Sequence, residues 1–259
     1  MNKEFVYIIP LHKKDKRVFR AIASIPNEST IIIVTSSAIK KWLKGHDDID
    51  VVTDILENKN TSYPALVNVG IAGSKLYNPK FISILEFDDT VTPNAHRIVE
   101  EYAEAYPEDG IFAPLSCIVK ENEKEGEEEV PPTLVAISNE ACFAPGVSEE
   151  MGIVDYNMML RTNFVFINGC YIKPEVFEEF GEFKEAFDIF YDYEWILRMS
   201  YNGVIIRGIP KVSRFHYLYD DSIFEKMKII DQDTRSKWLN LTRREYFFGP
   251  NEGREISIT

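Results

Sequence analysis

Cysteine is scarce in this chain. Cys117, Cys142 and Cys170 are the three among 259 residues, odd in number and without CxxC spacing, which excludes a disulfide framework and a thiolate zinc site. Reduced, mostly buried thiols are expected. Long apolar runs are missing as well: nothing approaches the roughly 18 residues a membrane span needs, and Met1-Asn2-Lys3-Glu4 leads straight into a strand-like segment with no signal-peptide core. A cytoplasmic protein without a transmembrane segment is expected. Basic residues are outnumbered, 29 against 42 acidic, for a formal net charge of -13. That balance argues against generic polyanion binding, which depends on Lys and Arg neutralising phosphates. Nucleic acid is disfavoured as a partner rather than excluded, because a local basic groove can form on an acidic protein. Finally, no Gly-rich, Lys- or Arg-bearing phosphate loop follows the first apolar run, which disfavours a nucleotidyltransferase.

What is present is enough for a large core. Hydrophobic residues make up 45% and aromatics 13%, so the chain is not disordered and supports one large domain, or one domain with an extension. Part of the charge is local. Glu121 to Glu129, ENEKEGEEE, holds six Glu and one Lys, a net -5 that leaves -8 for the rest. Like charges and the lack of apolar residues make this a solvated loop.

Along the chain, Phe5 to Pro10 reads as a strand followed by a polar turn. Arg17 to Ser24 has helical spacing and stops before Pro26. Ile31 to Val34 is a continuous apolar strand of the kind a parallel sheet buries on both faces. Ala38 to Leu43 reads as helix, Asp50 to Thr53 as a third strand, Pro64 to Lys75 as helix and Phe81 onward as a strand. A helix from Pro93 to about Tyr106 and a strand at Ile111 to Ala113 follow. Strands alternating with helices at this spacing specify a doubly wound α/β sheet. In the second half, Leu134 to Ile137 and Phe164 to Ile167 read as strands, Pro174 to Phe180 and Asp192 to Tyr201 as helices. Val204 to Ile206 and Val212 to Tyr217 read as two further strands. Asp221 to Phe248 has apolar positions at helical spacing, among them Ile223, Phe224, Met227, Ile230, Trp238 and Leu241, more than a solvated tail requires. An acceptor lid or a homo-oligomer contact is expected there.

The strand at Phe81 stops abruptly on Glu86-Phe87-Asp88-Asp89. Buried carboxylates cost several kcal/mol each unless paired or bound to a cation, by order of magnitude, and open α/β sheets place their ligands at the carboxyl ends of strands. Hard oxygen donors at this spacing suit Mg²⁺ or Mn²⁺ together with substrate phosphates. From spacing alone, a solvated acidic turn capping the helix after Pro93 is slightly favoured.

Further features line up in order. They are Asn68-Val69-Gly70-Ile71; Asn168-Gly169-Cys170-Tyr171-Ile172-Lys173 with Val176 to Phe183; and Tyr191-Asp192-Tyr193-Glu194-Trp195-Ile196-Leu197-Arg198, closed by Asn202-Gly203. Over roughly residues 5 to 217 this order resembles the family 2 glycosyltransferases of the GT-A fold. Phe5 to Pro10 resembles the family's first strand, Tyr63 to Ile71 its Ala-Arg-Asn-x-Gly helix, Glu86 to Asp89 its Asp-x-Asp-Asp metal motif, and Phe177 to Phe183 its "evfeeiGgFde" stretch. The resemblance implies a GT-A domain over residues 1–220, its mostly parallel central sheet flanked by helices. A donor-binding half would span about 1–115 and an acceptor and catalytic half about 130–220, joined by the acidic loop 121–129. Residues 221–259 would be a helical C-terminal extension. It also implies a nucleotide-diphospho-sugar donor, a glycan or other hydroxyl acceptor, and Mn²⁺ or Mg²⁺. Asp88 is then the first choice of metal ligand, with Glu86 and His216 beside it. Glu86 and Asp89 would also contact the ribose or metal-bound water, and Pro10, Leu11, His12, Asn68 and Gly169 would line the donor. Asp192 falls where inverting members keep their catalytic base.

Bland readings stand beside these. Asp192 also reads as a helix-capping acid, and His216 as a satisfied structural histidine. Phe190, Tyr193 and Trp195 read either as an acceptor platform or as core packing. Lys173 and Arg198 could pair with the carboxylates or phosphates, Arg198 more naturally in a structural ion pair. The chain departs from the family pattern in three places. Thr35-Ser36-Ser37 stands where an Asp-rich turn reads the nucleotide, Glu86 replaces the first Asp of the metal motif, and Tyr191 replaces the acid before the base. A carbohydrate-binding or assembly protein without catalysis is therefore the alternative on the same scaffold.

Overall fold

Alternate residues of the first two strands enter two different cores, which is why both strands read as unbroken apolar runs. In the computed structural model, which describes residues 4–121, 131–144, 151–187, 189–219, 232–244 and 246, β1 (Phe5–Leu11) sends Val6 and Ile8 to one face and Phe5, Tyr7, Ile9 and Leu11 to the other. β2 (Thr30–Thr35) divides likewise, Ile32 and Val34 against Ile31 and Ile33. The first face is covered by α3 (Tyr63–Ser74) through Leu66, Val67 and Ile71. The second is covered by α1 (Arg17–Ser24), α2 (Ser37–Leu43) and α4 (Ala95–Ala105). Gly70 lets α3 lie directly on β1, since a Cβ there would come within 2.3 Å of Ile8 Cγ2.

The sheet runs β3-β2-β1-β4-β8-β6-β9-β5, with β7 paired to β6 off this path. Here β3 is Asp54–Glu57, β4 Phe81–Ile84, β5 Thr90–Val91, β6 Ile111–Lys120, β7 Thr133–Ser138, β8 Tyr171–Ile172 and β9 Ile206–Leu218. Most paired residues are parallel, because the long pairings β1·β2, β1·β4, β2·β3 and β6·β9 are parallel and the short β8 and β5 supply antiparallel contacts. The carboxyl ends of β1 and β4 thus share one edge, and the end of β9 reaches it through β5.

Several expected boundaries shift. The third strand lies at Asp54–Glu57, after the expected Asp50 to Thr53. Residues 50–53 instead form a turn that places the Thr53 N–H on Ile31 O. Phe164 to Ile167 forms no strand; Phe164, Val165 and Ile167 pack into the core instead. Val204 to Ile206 and Val212 to Tyr217 belong to one stretch ending in a single long β9, because register shifts opposite Pro114 and Leu115 absorb the irregular middle. A helix at Tyr156–Arg161 (α5), capped by Asp155 on the Met158 N–H at 2.9 Å, has no strong periodic signal.

The later helices are α6 (Pro174–Phe180), α7 (Tyr191–Tyr201) and α8 (Gln232–Arg244). α8 docks on α7: Arg243 Nε donates to the Tyr193 hydroxyl at 3.1 Å, and the Tyr246 hydroxyl donates to buried Glu194 at 2.6 Å. Of the expected lid, Ile223, Phe224, Met227 and Ile230 lie outside the described residues, as does the acidic loop beyond Glu121. Among the described residues no helix is long and apolar enough to cross a membrane. The three cysteines are free; Cys142 and Cys170 are buried, and burial pushes both thiols up to about 12.

Candidate functional site

The acidic motif after β4 is a tight turn, and the turn decides which acids meet. Asp89 N–H donates to Glu86 O at 3.1 Å, so residues 86 and 89 fall on one side while Phe87 and Asp88 form the corner. Ligand atoms of Glu86, Asp89 and His216 lie within 4.8 Å of one another. Asp88, expected as the first metal ligand, is outside this group. Its carboxylate faces α1, with Oδ2 3.7 Å from Arg17 Nη1.

Asp89 is fully buried and saturated. It accepts the Tyr217 N–H at 3.2 Å, and His216 Nδ1 lies 3.0 and 3.1 Å from its two oxygens. A carboxylate there requires the proton on Nδ1, which leaves the Nε2 lone pair for another partner. Arg214 Nη1 lies 3.2 Å from Asp89 Oδ2. Arg214 and His216 are two apart on β9 and share a face, a signal that reading His216 alone passes over.

Glu86 is held from the other side. Asn168 Nδ2 donates to Glu86, while Asn168 Oδ1 accepts the Tyr63 hydroxyl at 3.1 Å. Asn168 sits in a turn, Cys170 N–H to Ile167 O at 2.9 Å, strapped to β4 by Gly169 N–H to Ile84 O at 3.0 Å. The left-handed φ of +83° at Gly169 suits the third position of that turn. Gly169 therefore shapes the site through its backbone. Asn168 and Tyr63, given no role by the sequence reading, connect Glu86 to α7: the Tyr63 ring stacks on Tyr191 at 5.1 Å.

Asp192 follows Tyr191 in the first turn of α7, half-buried, with Asn163 Nδ2 at 3.5 Å. Burial raises its carboxyl above the usual range against the pull of the Tyr193 and Asp192 N–H groups and Asn163. The hydroxyl of Tyr191 is pushed well up by burial, then by Asp192, then by Glu86, so both acids act on one phenol. Phe190, at the start of this helix, adopts a left-handed φ of +61°, a conformation costing an aromatic residue about 1–2 kcal/mol.

Other expected residues stand apart. Leu11 is buried with its carbonyl taken by the Thr35 hydroxyl at 2.6 Å, and Pro10 is buried in β1. His12 packs edge-on against Phe87 at 5.4 Å, beside the acidic turn. Asn68 is committed to the fold: its amide donates to Phe183 O at 2.9 Å and accepts the Phe183 N–H at 3.0 Å. Asn68→Ala strands both backbone groups and is expected to cost about 2–4 kcal/mol of stability in denaturant titration. Tyr193 and Trp195 are fully buried core residues. Arg198 holds Phe180 O, Glu182 O and Glu194, a structural ion pair, and Lys173 turns away to Pro107 O.

Crowded acids perturb one another. Burial, then the charge of Asp89, raises Glu86 to about 7; burial, then Asp89, raises Asp88 to about 6. Burial opposes charging of His216, but its bond to Asp89 and the charges of Asp89 and Glu86 prevail, so its value is raised. All three shifts make the folded protein bind protons the unfolded chain lacks, so metal-free stability falls as pH rises through about 4 to 7 and beyond 6.5 for His216. Buried His96, 3.1 Å from the Tyr7 hydroxyl, is lowered by burial and works the other way below 6.5. Comparison with Glu86→Gln removes that background. From pH 8 to 5.5 the parent is expected to gain on the order of 2 kcal/mol relative to this variant, read by urea unfolding in EDTA.

Solved structures sharing this fold include the glycosyltransferases TarS and GalNAc-T7. S. aureus TarS superposes with a TM-score of 0.55 at 12% identity over 99% of this chain and 46% of that one. Its 1–349 fragment in complex with UDP-GlcNAc gives 0.57 at 12% identity over 99% and 76%. GalNAc-T7 with UDP, GalNAc and Mn²⁺ gives 0.55 at 14% identity over 83% and 44%. The chain thus spans less than half the length of that TarS chain. No family model matches the chain, and no curated protein matches it in sequence. The fold is GT-A, a mixed α/β architecture with a mostly parallel sheet flanked by helices.

Proposed function

We propose that the protein is a metal-dependent glycosyltransferase that moves a sugar from a nucleotide-diphospho-sugar donor to a hydroxyl acceptor with inversion. The observation that carries this reading is the Glu86, Asp89 and His216 cluster at the carboxyl edge of the sheet, joined through Asn168, Tyr63 and Tyr191 to Asp192. Packing alone gives no reason to gather two acids and an imidazole at one edge.

The donor set fits a divalent ion. Carboxylate oxygens with one imidazole suit Mn²⁺ better than Mg²⁺, and burial together with the neighbouring charge of Asp89 makes ionised Glu86 and Asp88 costly without a cation. Glu86 and the Nε2 of His216 would hold the ion, with Asp88 at the rim and Asp89 orienting the imidazole. When bound, such an ion neutralises the charge of a departing diphosphate. Asp192 would take the acceptor proton: its raised affinity for protons and its place at a helix N-terminus suit a general base. Tyr191 offers the sugar an aromatic wall where the related pattern has an acid. Thr35 spends its hydroxyl on Leu11, so the nucleobase is read without a carboxylate at the end of β2.

The test is a thermal-shift panel of UDP, GDP, TDP and CMP sugars with and without Mn²⁺, followed by assay of slow donor hydrolysis. A metal-dependent shift with at least one donor, and hydrolysis of that donor, is expected. No metal-dependent response to any nucleotide would sink the reading. Binding with no hydrolysis or transfer to any acceptor would favour a carbohydrate-binding protein on the same scaffold.

A further inference from the structure

A guanidinium already lies against the acids. The Arg214 side chain is 5% exposed, with Nη1 3.2 Å from Asp89 Oδ2, and its Nε donates to Ser116 Oγ at 3.2 Å. The Nη1 contact lacks hydrogen-bond alignment, and among the described residues that atom has no other hydrogen-bond partner. A buried donor therefore points at the acid cluster unsaturated. Gly169 is what admits it. A Cβ there would come 2.8 Å from Arg214 Nε and 2.9 Å from Cδ. The chain gives up a side chain at this turn and seats a positive charge behind Asp89 in the space.

Charge counting shows the consequence. Glu86, Asp88 and Asp89 bring three carboxylates; Arg214 faces Asp89, whereas Arg17, 3.7 Å from Asp88 Oδ2, is committed first to Asp15, whose Oδ1 accepts its Nε–H at 2.9 Å. The fixed charge of buried Arg214 thus offsets one of the carboxylates that a divalent ion arriving alone would need. An ion arriving with a diphosphate brings its own negative charge, which the guanidinium groups favour.

We propose that Arg214 is a built-in counter-cation that keeps the acid cluster from holding a divalent ion by itself, so that the metal is accepted as its diphosphate complex. The inference rests on the reading of the site as one for nucleotide diphosphates. Arg214 does not touch reacting atoms; it is a positioning residue that sets the order of binding.

Equilibrium dialysis of the full chain against matched free Mn²⁺, with and without inorganic pyrophosphate, tests it on the parent, Arg214→Gln and Arg214→Lys. The parent is expected to hold Mn²⁺ at least about 100-fold more tightly with pyrophosphate than without. Arg214→Gln should gain about tenfold in affinity for Mn²⁺ alone and lose most of the synergy, while Arg214→Lys, with the charge kept, behaves as the parent. Tight binding of Mn²⁺ alone by the parent, or no gain in Arg214→Gln, overturns the counter-cation and leaves a metal–diphosphate site standing. Failure of the parent to bind the ion in either condition, with no gain in the variant, removes both readings. The parent comparison decides even if Arg214→Gln does not fold.

Discussion

Asp192→Asn is expected to lower kcat for transfer by about 10²–10⁴-fold, the usual range for loss of a general base, while leaving Mn²⁺-dependent donor binding within about twofold. The substitution is chosen for what it keeps. Asparagine is isosteric and its carbonyl oxygen can still accept the Tyr193 N–H in the first turn of α7, whose N-cap is Phe190 and carries no side-chain cap bond, so the local backbone contact survives. What it loses is the ability to take a proton from an acceptor hydroxyl. Burial raises the Asp192 carboxyl, which makes it a better base than a surface acid, and its Asn163 contact fixes its orientation. A capping role alone predicts the reverse pattern: a small loss of helix stability and an unchanged kcat. Steady-state kinetics with a donor from the thermal-shift panel, set beside thermal unfolding of the same variant, distinguishes the two. An unchanged kcat means that the base is elsewhere.

Much of this arrangement is legible in one dimension because burial on two faces leaves a plain mark. Val6 and Ile8 against Tyr7 and Ile9, and Ile32 against Ile31 and Ile33, make apolar runs that only a covered parallel sheet explains. The start and end of α1 are marked by Asp15, which accepts the Arg17 N–H at 3.0 Å, and by Pro26. Elements fixed by tertiary pairing leave no such mark. β8 and β5 are two residues each, too short for any period, yet β8 joins β4 to β6 and so unites the two halves of the chain in one sheet.

The site divides in the same way. Acids at a strand end are visible, but which of them converge depends on the hydrogen bond from Asp89 to Glu86 O, and the family resemblance put Asp88 ahead of Asp89. Asn68 matched a motif while its amide spends itself on Phe183, because a polar residue on a buried helix face must find a partner whatever else it does. Asn168 and Arg214 were missed for the opposite reason. Neither stands out by its local pattern, and only the fold places the first on Glu86 and the second on Asp89.

His216→Ala is expected to weaken Mn²⁺-dependent nucleotide binding by at least about 100-fold, since loss of an outer partner of a metal ligand alone costs about 10–100-fold. The argument rests on the division of labour between the two imidazole nitrogens. Nδ1 is 3.0 Å from Asp89, and a buried carboxylate with three neighbours donating to it or paired with it fixes that nitrogen as the protonated one. Nε2 is then a lone pair on a ring held rigidly at the acidic edge, the donor a divalent ion requires. Asp89→Asn removes the acceptor that fixes the tautomer but keeps both nitrogens, so its loss should be smaller, about 10-fold. Imidazole in the buffer separates a ligand from a packing role, because it can refill the space left in His216→Ala and return a nitrogen to the ion. Partial recovery of Mn²⁺-dependent binding in imidazole is expected, with no recovery from an equal concentration of a non-coordinating cation. If His216→Ala binds Mn²⁺ and nucleotide as the parent does, His216 is an ion-pair partner of Asp89 and the metal must be held by the carboxylates alone.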